Sequence, residues 1–399
     1  MNTQYHERNI SMVMDMYELT MSNGYLNQGF KDTWVAFDVF YRNNPDNGGF
    51  AIFAGLQQVV EYIENLHFSE EDVEYLRSKR LFTEEFLEYL LHFRFRGDIY
   101  AMKEGTVMYP NEPVITVVAP LIDAQLIETT ILLEINHQSL IATKTNRIVQ
   151  AANGKPVSDF GARRAHNVDA AVYGARAAYI GGAAGTATVL AGKMFHIPIS
   201  GTMAHSWVMT FDSEYDAFKA YAESYPDGTV LLVDTYDVLK SGVPNAIRTA
   251  REVLEPMGKK LMGIRLDSGD LAYLSKEARK MLDEAGLSDC MIVASNSLDE
   301  YTISSLNRQG AKIDSYGVGE RLITSSSTPV FGAVYKLVAI QKDGKFIPKI
   351  KISETAEKIT NPGIKEVYRV YDENGKAVAD YLAVKGEQIR DFDPVRYVD

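Results

Sequence analysis

Residues 261–267 read Leu-Met-Gly-Ile-Arg-Leu-Asp, a short apolar run that ends in charged side chains and leads into a helical segment. The same pattern recurs between about residue 155 and residue 325, each time with polar residues where the apolar run ends. The runs of this kind are 156–160, 197–202, 230–234, 261–267, 291–296 and 313–319. Strand-helix units in series predict a parallel sheet with helical crossovers.

The polar strand ends favour an α/β barrel over an open, doubly wound sheet. In a barrel, functional residues gather at the carboxyl ends of many strands. An open sheet would concentrate them at one switch point. Since Asp, Thr, Arg and Asn recur at successive strand ends, we expect an irregular barrel that resembles a TIM barrel.

The region up to about residue 135 mixes helices and strands without regular alternation, which predicts an α+β domain. Ser69 and Thr83 each precede acidic residues and a helical apolar pattern, so both are predicted helix N-caps. The long apolar stretch 121–141 predicts a buried helix that leads into the barrel.

The C-terminal region is predicted to be β-rich. Runs 330–338 and 366–371 alternate in the manner of antiparallel strands, which we expect to pair with the N-terminal region. The expected organisation is an α+β domain of residues 1–135, completed by 329–399 and packed against a barrel of residues 136–328.

Composition excludes several classes of partner. The chain has 399 residues, 46% of them hydrophobic, and a formal net charge of -12, which argues against nucleic acid or an anionic membrane as a general partner. The sequence contains no run of about eighteen apolar residues, so no membrane span is predicted. The single cysteine, Cys290, excludes an intrachain disulfide, and the first residues lack the features of a signal peptide, so a cytoplasmic protein is expected.

The most informative candidate is His205, in the stretch Gly-Thr-Met-Ala-His-Ser-Trp at 201–207. A histidine just past a strand end, among small residues, is suited to proton transfer or to nucleophilic attack on a phosphoryl group. The alternative is a structural or exposed histidine, which is the commoner role for an isolated one.

A second constellation is Gly-Ile-Arg-Leu-Asp-Ser-Gly-Asp at 263–270. Strand alternation places Arg265 and Asp267 on one face. Arg265 offers a planar fork to a carboxylate or phosphate, and Asp267 is suited to ribose hydroxyls or Mg²⁺. The alternative is a structural ion pair that closes the barrel.

Two acidic residues, Asp234 and Asp237, follow another strand. Either would orient His205 or contact a metal, and one of them is alternatively a helix N-cap. The sequence contains no G-x-x-x-x-G-K-[ST] motif, so ATP would not be held by a P-loop.

Two further strand ends carry candidate ligand contacts. Phe160 offers a ring for stacking on a flat molecule, and Arg163 with Arg164 offers cations for phosphates, although a core Phe beside surface arginines would look the same. Gly317 and Gly319 would let the backbone approach a phosphate closely, but two glycines are weak evidence.

Together these segments resemble the nicotinate phosphoribosyltransferase family. The resemblance runs from Met16–Thr20 to at least Val334. The motifs that carry it are Gly-Thr-Met-Ala-His-Ser-Trp-Val-Met at 201–209, Leu-Leu-Val-Asp-Thr-Tyr-Asp at 231–237, Gly-Ile-Arg-Leu-Asp-Ser-Gly-Asp-Leu at 263–271, Ala-Ser-Asn-Ser-Leu-Asp-Glu at 294–300 and Gly-Val-Gly at 317–319.

The resemblance implies an enzyme that joins nicotinate to the ribose 5-phosphate of phosphoribosyl pyrophosphate. It further implies an N-terminal domain joined to an irregular barrel, and a homodimer with active sites at the subunit interface. ATP would be hydrolysed through a phosphorylated histidine, and Mg²⁺ would neutralise the leaving pyrophosphate.

The resemblance also assigns a role to each candidate residue. His205 would be phosphorylated and Asp234 would orient it. Phe160, together with Tyr17 of the other subunit, would sandwich the pyridine ring, and Thr202 and Arg265 would bind the nicotinate carboxylate. Asp267 and Asn296 would hold the ribose hydroxyls, and Asp267 would also contact Mg²⁺. Arg163 and the turn from Gly317 to Gly319 would contact the phosphates.

Two features depart from the family pattern. Family members often carry more chain beyond the position of Asp399, which leaves the C-terminal boundary open. Many have Thr where Glu320 stands, so no phosphate contact is expected at position 320.

Three alternative functions remain open from the sequence. The first is a nicotinamide phosphoribosyltransferase, which would differ in how it recognises the ring substituent. The second takes 230–242 as the phosphoribosyl pyrophosphate loop of purine or orotate transferases, although that loop usually pairs two acidic residues. The third is a non-catalytic barrel that binds nucleotides.

Overall fold

The computed structural model describes residues 8–355 and 358–388. Its α-helices are α1 (Met16–Asn27), α2 (Leu56–Asn65), α3 (Glu70–Ser78), α4 (Glu84–Leu91), α5 (Leu121–Gln125), α6 (Glu128–Ala151), α7 (Val168–Ile180), α8 (Val189–Phe195), α9 (His205–Met209), α10 (Glu214–Ser224), α11 (Val243–Thr249), α12 (Leu271–Glu284), α13 (Glu300–Arg308) and α14 (Glu320–Ile323). Shorter 3-10 or π turns lie at Pro45–Asn47, Ala162–Arg164, Val238–Gly242, Ala250–Leu254 and Glu255–Met257.

The described residues also form β-strands. They are β1 (Trp34–Tyr41), β2 (Ala51–Ile52), β3 (Asp98–Ala101), β4 (Val107–Met108), β5 (Ile115–Pro120), β6 (Val157–Asp159), β7 (Gly185–Thr186), β8 (Val230–Leu232), β9 (Gly263–Leu266), β10 (Met291–Ala294), β11 (Ser315–Val318), β12 (Ala333–Lys342), β13 (Lys345–Pro348), β14 (Lys365–Tyr371) and β15 (Ala377–Val384).

The chain divides into two compact units. One contains the described residues up to Leu140 and from Val330 onward, and the other is Ile141–Pro329. Helix α6 belongs to both, because it begins before this boundary and ends after it. No helix within 8–355 or 358–388 is both long enough and apolar enough to cross a membrane.

The second unit is built on a parallel sheet in the order β7-β6-β11-β10-β9-β8. Its last strand, β11, pairs with its first, β6, and from β8 to β11 each strand lies beside the next one in the chain. Thr186 of β7 also forms an isolated parallel bridge with Ile199. This cyclic order is that of a barrel, with no strand pairing between Ile199 and β8 in the described residues. The expected α/β barrel is therefore confirmed.

One strand of the barrel was predicted in the wrong place. Run 197–202 forms only the single bridge at Ile199, whereas the paired strand is the two-residue β7. Pro198 lacks a backbone N–H, and Gly201 weakens an extended segment, so the apolar run does not become a full strand. Gly185 and Thr186 carry no apolar run that would mark a strand in the sequence.

The predicted helix over 121–141 is two helices, α5 and α6, and α6 continues to Ala151. Leu126 and Ile127, at the junction, are both fully buried. Because the apolar pattern runs through the junction without Gly or Pro, the sequence gives no sign of the break. The predicted N-caps are confirmed, since Ser69 Oγ accepts from the Asp72 amide at 3.1 Å and Thr83 Oγ1 from the Phe86 amide at 3.4 Å.

The first unit contains a five-stranded sheet in the order β13-β12-β1-β5-β3. Strand β12 pairs antiparallel with β1, so the C-terminal run 330–338 completes the N-terminal sheet as predicted. The run 366–371 does not join it, because β14 pairs with β15 in a separate two-stranded sheet. The core of the unit includes Phe37 stacked on Tyr335, with ring centroids 4.5 Å apart.

Candidate active site

His205 is the first residue of α9 and lies among three polar side chains. Its Nδ1 is 3.2 Å from Thr235 Oγ1, while its Nε2 is 3.8 Å from Asp267 Oδ2 and 4.0 Å from Asp234 Oδ1. Two carboxylates favour a proton on Nε2, and the Thr235 hydroxyl then donates to Nδ1. The ring is thus oriented from both sides while its side chain stays 41% exposed.

Asp234, which follows β8, is held by the loop after β9. Its Oδ2 accepts from the Asp267 amide at 3.0 Å and from the Ser268 hydroxyl at 2.5 Å. Its Oδ1 is buried, has no hydrogen-bond partner within the described residues, and faces His205. A buried carboxylate oxygen in this position stabilises positive charge on the imidazole.

Arg265, on β9, is fixed by hydrogen bonds from all three of its nitrogens. Its Nε donates to Ser295 Oγ at 2.9 Å, its Nη1 to Thr202 Oγ1 at 2.7 Å and the Met203 carbonyl at 3.3 Å, and its Nη2 to Asp267 Oδ1 at 3.3 Å. The result is a planar cation with a set orientation, as recognition of a carboxylate requires.

Phe160 lies beside this cation, with its ring centroid 5.9 Å from the guanidinium carbon of Arg265. Its amide donates to the Val318 carbonyl at 2.8 Å. A Cβ added at Gly317 would lie 2.4 Å from Phe160 Cε2, so only glycine lets the ring rest against β11. The aromatic ring and the guanidinium together form a surface suited to a flat aromatic acid.

Asp159, which the sequence analysis did not single out, holds the strand end that carries Phe160. Its Oδ1 accepts from the Gly161 amide at 2.8 Å and its Oδ2 from the Thr186 hydroxyl at 2.7 Å. The side chain is fully buried, and this burial raises the pKa of Asp159 above its ordinary value. The residue therefore holds the strand end to the neighbouring strand β7 and to the turn that follows it.

Phe160, Arg265 and Asp267 border a cleft of about 230 Å³. Its lining residues are Phe160, Arg163, Arg164, Arg265, Asp267, Ser295, Asn296, Ser297, Gly317, Gly319 and Glu320. Arg163 and Arg164 are exposed, and Arg164 lies 3.7 Å from Glu320. The cleft therefore combines three arginines with an aromatic ring, which suits an anionic ligand with a flat ring.

Asn296 lines the cleft on a loop with unusual backbone geometry. Its φ of 98° is in a region that L-residues rarely adopt. Its Oδ1 accepts from the Ser297 amide at 2.8 Å, which leaves the amide NH₂ group toward solvent or ligand. Strain of this kind is often found at ligand-binding loops.

The other predicted site residues fall in different places. Asp237 is a helix cap, because its Oδ1 accepts from the amides of Leu239 and Lys240 at 3.1 and 2.9 Å, and the latter bond lowers the pKa of Asp237. Tyr17 lies on α1 in the first unit and is 41% exposed. Partial burial and Glu128 raise the pKa of the Tyr17 phenol. Its contact with the ring from another subunit stays a prediction.

No three His, Cys, Asp or Glu side chains among the described residues form a group that would hold a metal ion. Asp267 and Asp234 nevertheless present two carboxylates near His205. One of their oxygens, Asp234 Oδ1, is buried without a partner in the described residues. This donor set fits Mg²⁺ only if substrate oxygens supply the other ligands.

A larger cavity of about 570 Å³ lies in the first unit, between β3 and the β14–β15 hairpin. Two of its cations are already paired, Lys365 with Asp38 at 2.7 Å and Arg369 with Asp380 at 2.7 Å. No histidine lines this cavity. Cavity volume alone therefore does not identify the functional site. The smaller cleft is the better candidate, because its lining includes three arginines and an aromatic ring.

The structure thus brings His205, Arg265 and Asp267 together at one rim of the barrel. Arg265 and Asp267 do form an ion pair, the alternative weighed from the sequence, but they form it at the wall of a cleft beside a histidine. Sequence reasoning missed Thr235 and Ser295, which contact His205 and Arg265. Both lie inside strand-end motifs, and that position was the available signal.

Two family models match most of this chain. One, described as the nicotinate phosphoribosyltransferase N-terminal domain, matches residues 12–136, and the other, the nicotinate phosphoribosyltransferase family, matches residues 156–374.

Full-length relatives agree with the family models. The chain is 50% identical over 388 residues to a nicotinate phosphoribosyltransferase of Bacillus subtilis. The matched region covers 97% of this chain and 79% of that relative. It is 44% identical over 379 residues to one of Mycobacterium tuberculosis, with 95% and 79% covered. Its fold is similar to the crystal structure of human nicotinic acid phosphoribosyltransferase, with a TM-score of 0.83, 29% identity, and 94% and 82% of the two chains covered. This chain therefore belongs to the nicotinate phosphoribosyltransferase family.

Proposed function

We propose that this protein joins nicotinate to the ribose 5-phosphate of phosphoribosyl pyrophosphate, producing nicotinate mononucleotide and pyrophosphate. The observation that carries this proposal is the Arg265 guanidinium, fixed by hydrogen bonds beside the Phe160 ring. A planar cation next to an aromatic ring recognises both parts of nicotinate, its carboxylate and its pyridine ring. Family membership supports the same reaction.

In the proposed reaction the pyridine nitrogen forms a bond to the anomeric carbon as the carbon–oxygen bond to pyrophosphate breaks. The electron pair of the broken bond leaves with pyrophosphate. Positive charge develops on the ribose, so the protein mainly positions the two reactants and stabilises charge. Asp267 and Asn296 would hold the ribose hydroxyls, and Arg163 with the turn at Gly317–Gly319 would contact phosphates.

Mg²⁺ would be held by Asp267, with the buried Asp234 Oδ1 nearby and pyrophosphate oxygens as further ligands. It would supply charge neutralisation for the leaving pyrophosphate. The protein residues would do the positioning.

The first test is release of pyrophosphate from nicotinate and phosphoribosyl pyrophosphate, with and without ATP. Nicotinamide offered in place of nicotinate separates the proposal from its closest alternative. We expect turnover with nicotinate and little with nicotinamide, because the amide cannot form a charge-assisted bond with Arg265. Turnover with nicotinamide alone would contradict the proposal, and binding without turnover would favour the non-catalytic barrel.

We further propose that ATP hydrolysis is coupled to this synthesis through phosphorylation of His205. One ring nitrogen would attack the γ-phosphorus, forming an N–P bond with ADP as the leaving group, and water would later hydrolyse that bond. Asp234 supports this role, since its buried carboxylate would stabilise the positive charge of the ring during attack. The added phosphoryl group would place a dianion beside the cleft and order its arginines.

The coupling is tested with γ-labelled ATP. We expect an acid-labile label on the wild-type chain that is absent in His205→Ala and retained in His92→Ala. His92 is the matched control because it is exposed and, among the residues that the structure describes, its ring pairs only with Glu88, at 2.9 Å. An unlabelled wild type that still forms nicotinate mononucleotide would remove the coupling and leave the transferase reaction standing.

We also propose a homodimer in which Tyr17 of one copy completes the base site of the other. Two inactive variants, Tyr17→Ala and Phe160→Ala, test this by mixing. If each site takes one residue from each copy, a mixed dimer contains one intact site and regains part of the activity. No recovery after exchange of subunits would contradict shared sites.

A further inference from the structure

Ser295 connects the two charged groups at the centre of the cleft. It follows β10 directly, is 4% exposed, and its amide donates to the Leu266 carbonyl at 2.9 Å. Its hydroxyl accepts from Arg265 Nε at 2.9 Å and donates to Asp267 Oδ1. The hydroxyl proton is thus bonded to the Asp267 carboxylate, and one oxygen lone pair accepts from the Arg265 guanidinium.

The bonds to Arg265 leave one of its donors for a ligand. A guanidinium has five N–H groups. Four are engaged within the described residues, by Ser295, Thr202, the Met203 carbonyl and Asp267. The fifth is on Nη2, the nitrogen whose only bond within residues 8–355 and 358–388, to Asp267, is 3.3 Å long.

We propose that Ser295 is a positioning residue that sets the preference for a base with a carboxylate. This inference rests on the proposed function and deepens it. By occupying Arg265 Nε, the hydroxyl fixes the rotation of the guanidinium about its stem. By donating to Asp267 Oδ1, it keeps that carboxylate from closing on the guanidinium as a two-bond pair.

Removal of the hydroxyl would leave a buried donor on Arg265 and a vacant acceptor on Asp267. The two groups are 3.3 Å apart already, and a bidentate pair is the favoured geometry for Arg with a carboxylate. Closure would add a second bond to Asp267 through the freed Nε, turn the guanidinium toward that carboxylate and neutralise the cation locally. Nicotinate would lose its charged partner, whereas nicotinamide, which has no carboxylate, would lose much less.

The experiment compares Ser295→Ala with the wild type, using the KM for nicotinate and the inhibition constant of nicotinamide. We expect the KM for nicotinate to rise about tenfold or more, as for other buried hydrogen bonds to charged groups, while the nicotinamide constant changes by about twofold or less. Ser295→Thr keeps a hydroxyl and should restore most of the preference. A purely structural role would instead weaken both bases together, and that outcome overturns the proposal.

Ser275→Ala is the matched control. Ser275 is also a buried serine, on α12, and its hydroxyl donates to the Ala272 carbonyl at 3.2 Å, outside the lining of the cleft. It should lower thermal stability without a change in the ratio of the two constants. If Ser295→Ala does not fold, Ser295→Cys replaces it, because a thiol is a poor acceptor, and an unchanged ratio in that variant equally contradicts the proposal.

Failure of this inference is distinct from failure of the proposed function. A wild type that forms no nicotinate mononucleotide from nicotinate and phosphoribosyl pyrophosphate refutes the function. A wild type that does so, beside a Ser295→Ala variant with the same base preference, refutes only the role of Ser295.

Discussion

Asp159 shows how one buried carboxylate holds the strand end that carries the Phe160 ring. Its two oxygens accept from the Gly161 amide and the Thr186 hydroxyl. In Asp159→Asn one of the two oxygens becomes an NH₂ group, which cannot accept a hydrogen bond, so only one of the two bonds is still accepted. We expect a loss of about 1–3 kcal/mol in the free energy of unfolding, the usual cost of an unsatisfied buried group, and a higher KM for nicotinate.

The measurement is urea unfolding together with steady-state kinetics. Asp237→Asn is the matched control, since asparagine caps helices about as well as aspartate and should cost well under about 1 kcal/mol. Equal losses in the two variants would mean that the Asp159 network contributes no more than an ordinary cap.

Glu18, in the first turn of α1, makes the free energy of unfolding fall as the pH rises. Burial raises its pKa from an ordinary 4.5 to about 7, although its Oε1 accepts from the Asp15 amide at 3.0 Å. Between these two pH values the folded chain holds a proton that the unfolded chain has lost. The contribution of Glu18 to stability is therefore complete below about pH 4.5 and is lost as the pH rises through about 7.

Glu18→Gln should remove this dependence, because glutamine has no proton to lose. We expect its free energy of unfolding to fall less than that of the wild type between pH 5 and pH 8, in urea titrations at each pH. Glu88→Gln, at an exposed position, should keep the wild-type slope. A Glu18→Gln variant with the wild-type slope would show that other groups govern this pH range.

At the residue scale, sequence reasoning found charged and aromatic side chains better than the hydroxyls that hold them. Arg265 and Asp267 could be placed on one face because strand alternation fixes direction. The sequence could not pair Thr235 with His205 or Ser295 with Arg265. A hydroxyl forms hydrogen bonds in many directions, and each of these partners lies 30 residues away in the chain. Such contacts depend on the packing of neighbouring strand ends, which no local pattern encodes.

The pairing of β6 with β11 places Gly317 against Phe160, the ring that we propose binds the base. Gly317 of β11 lies against the Phe160 ring at the end of β6, and an added Cβ would lie 2.4 Å from Phe160 Cε2. Gly317→Ala should therefore displace the ring. We expect about a tenfold or greater rise in the KM for nicotinate, equivalent to about 1.4 kcal/mol, with a smaller effect on phosphoribosyl pyrophosphate.

Gly228→Ala controls for the change of glycine to alanine. Gly228 precedes β8, has no positive φ, and has open space where a Cβ would be added. It should retain the wild-type KM values in the same steady-state assay. A Gly317→Ala variant with an unchanged KM for nicotinate would mean that Phe160 does not need its position on β11 to bind the base.

Elements were predictable where a long apolar run coincided with a boundary signal. Strands β8 to β11 lie within their predicted runs, and α3 and α4 begin after their predicted caps. Strand β7 was not predictable, because two residues form it through neighbours on both sides rather than through a pattern of their own. The break between α5 and α6 was hidden for a similar reason, since residues buried on all faces show no periodicity.

At the scale of the whole molecule, both units are closed by residues far apart in the chain. In the barrel β6 pairs with β11, and in the first unit β1 pairs with β12. The second unit, Ile141–Pro329, is nevertheless one continuous segment, whereas the first unit combines two separate parts of the chain. Strand β12, from the C-terminal part of the chain, lies inside the sheet of the first unit, flanked by β13 and β1.

Tyr335 of β12 tests this dependence on the distant strand. Its ring is 1% exposed and stacks on Phe37 of β1, and its hydroxyl donates to the Ala124 carbonyl at 2.8 Å. Tyr335→Ala should cost about 3–5 kcal/mol in the free energy of unfolding, as for other large buried rings. Tyr335→Phe keeps the stacked ring and loses only the hydrogen bond, so it should cost about 1 kcal/mol. Tyr371→Ala, at a 59% exposed position on β14, is the control and should cost less than about 0.5 kcal/mol in the same urea titrations. If Tyr335→Ala were no more destabilising than Tyr371→Ala, the packing of β12 against β1 would not contribute to the stability of the first unit.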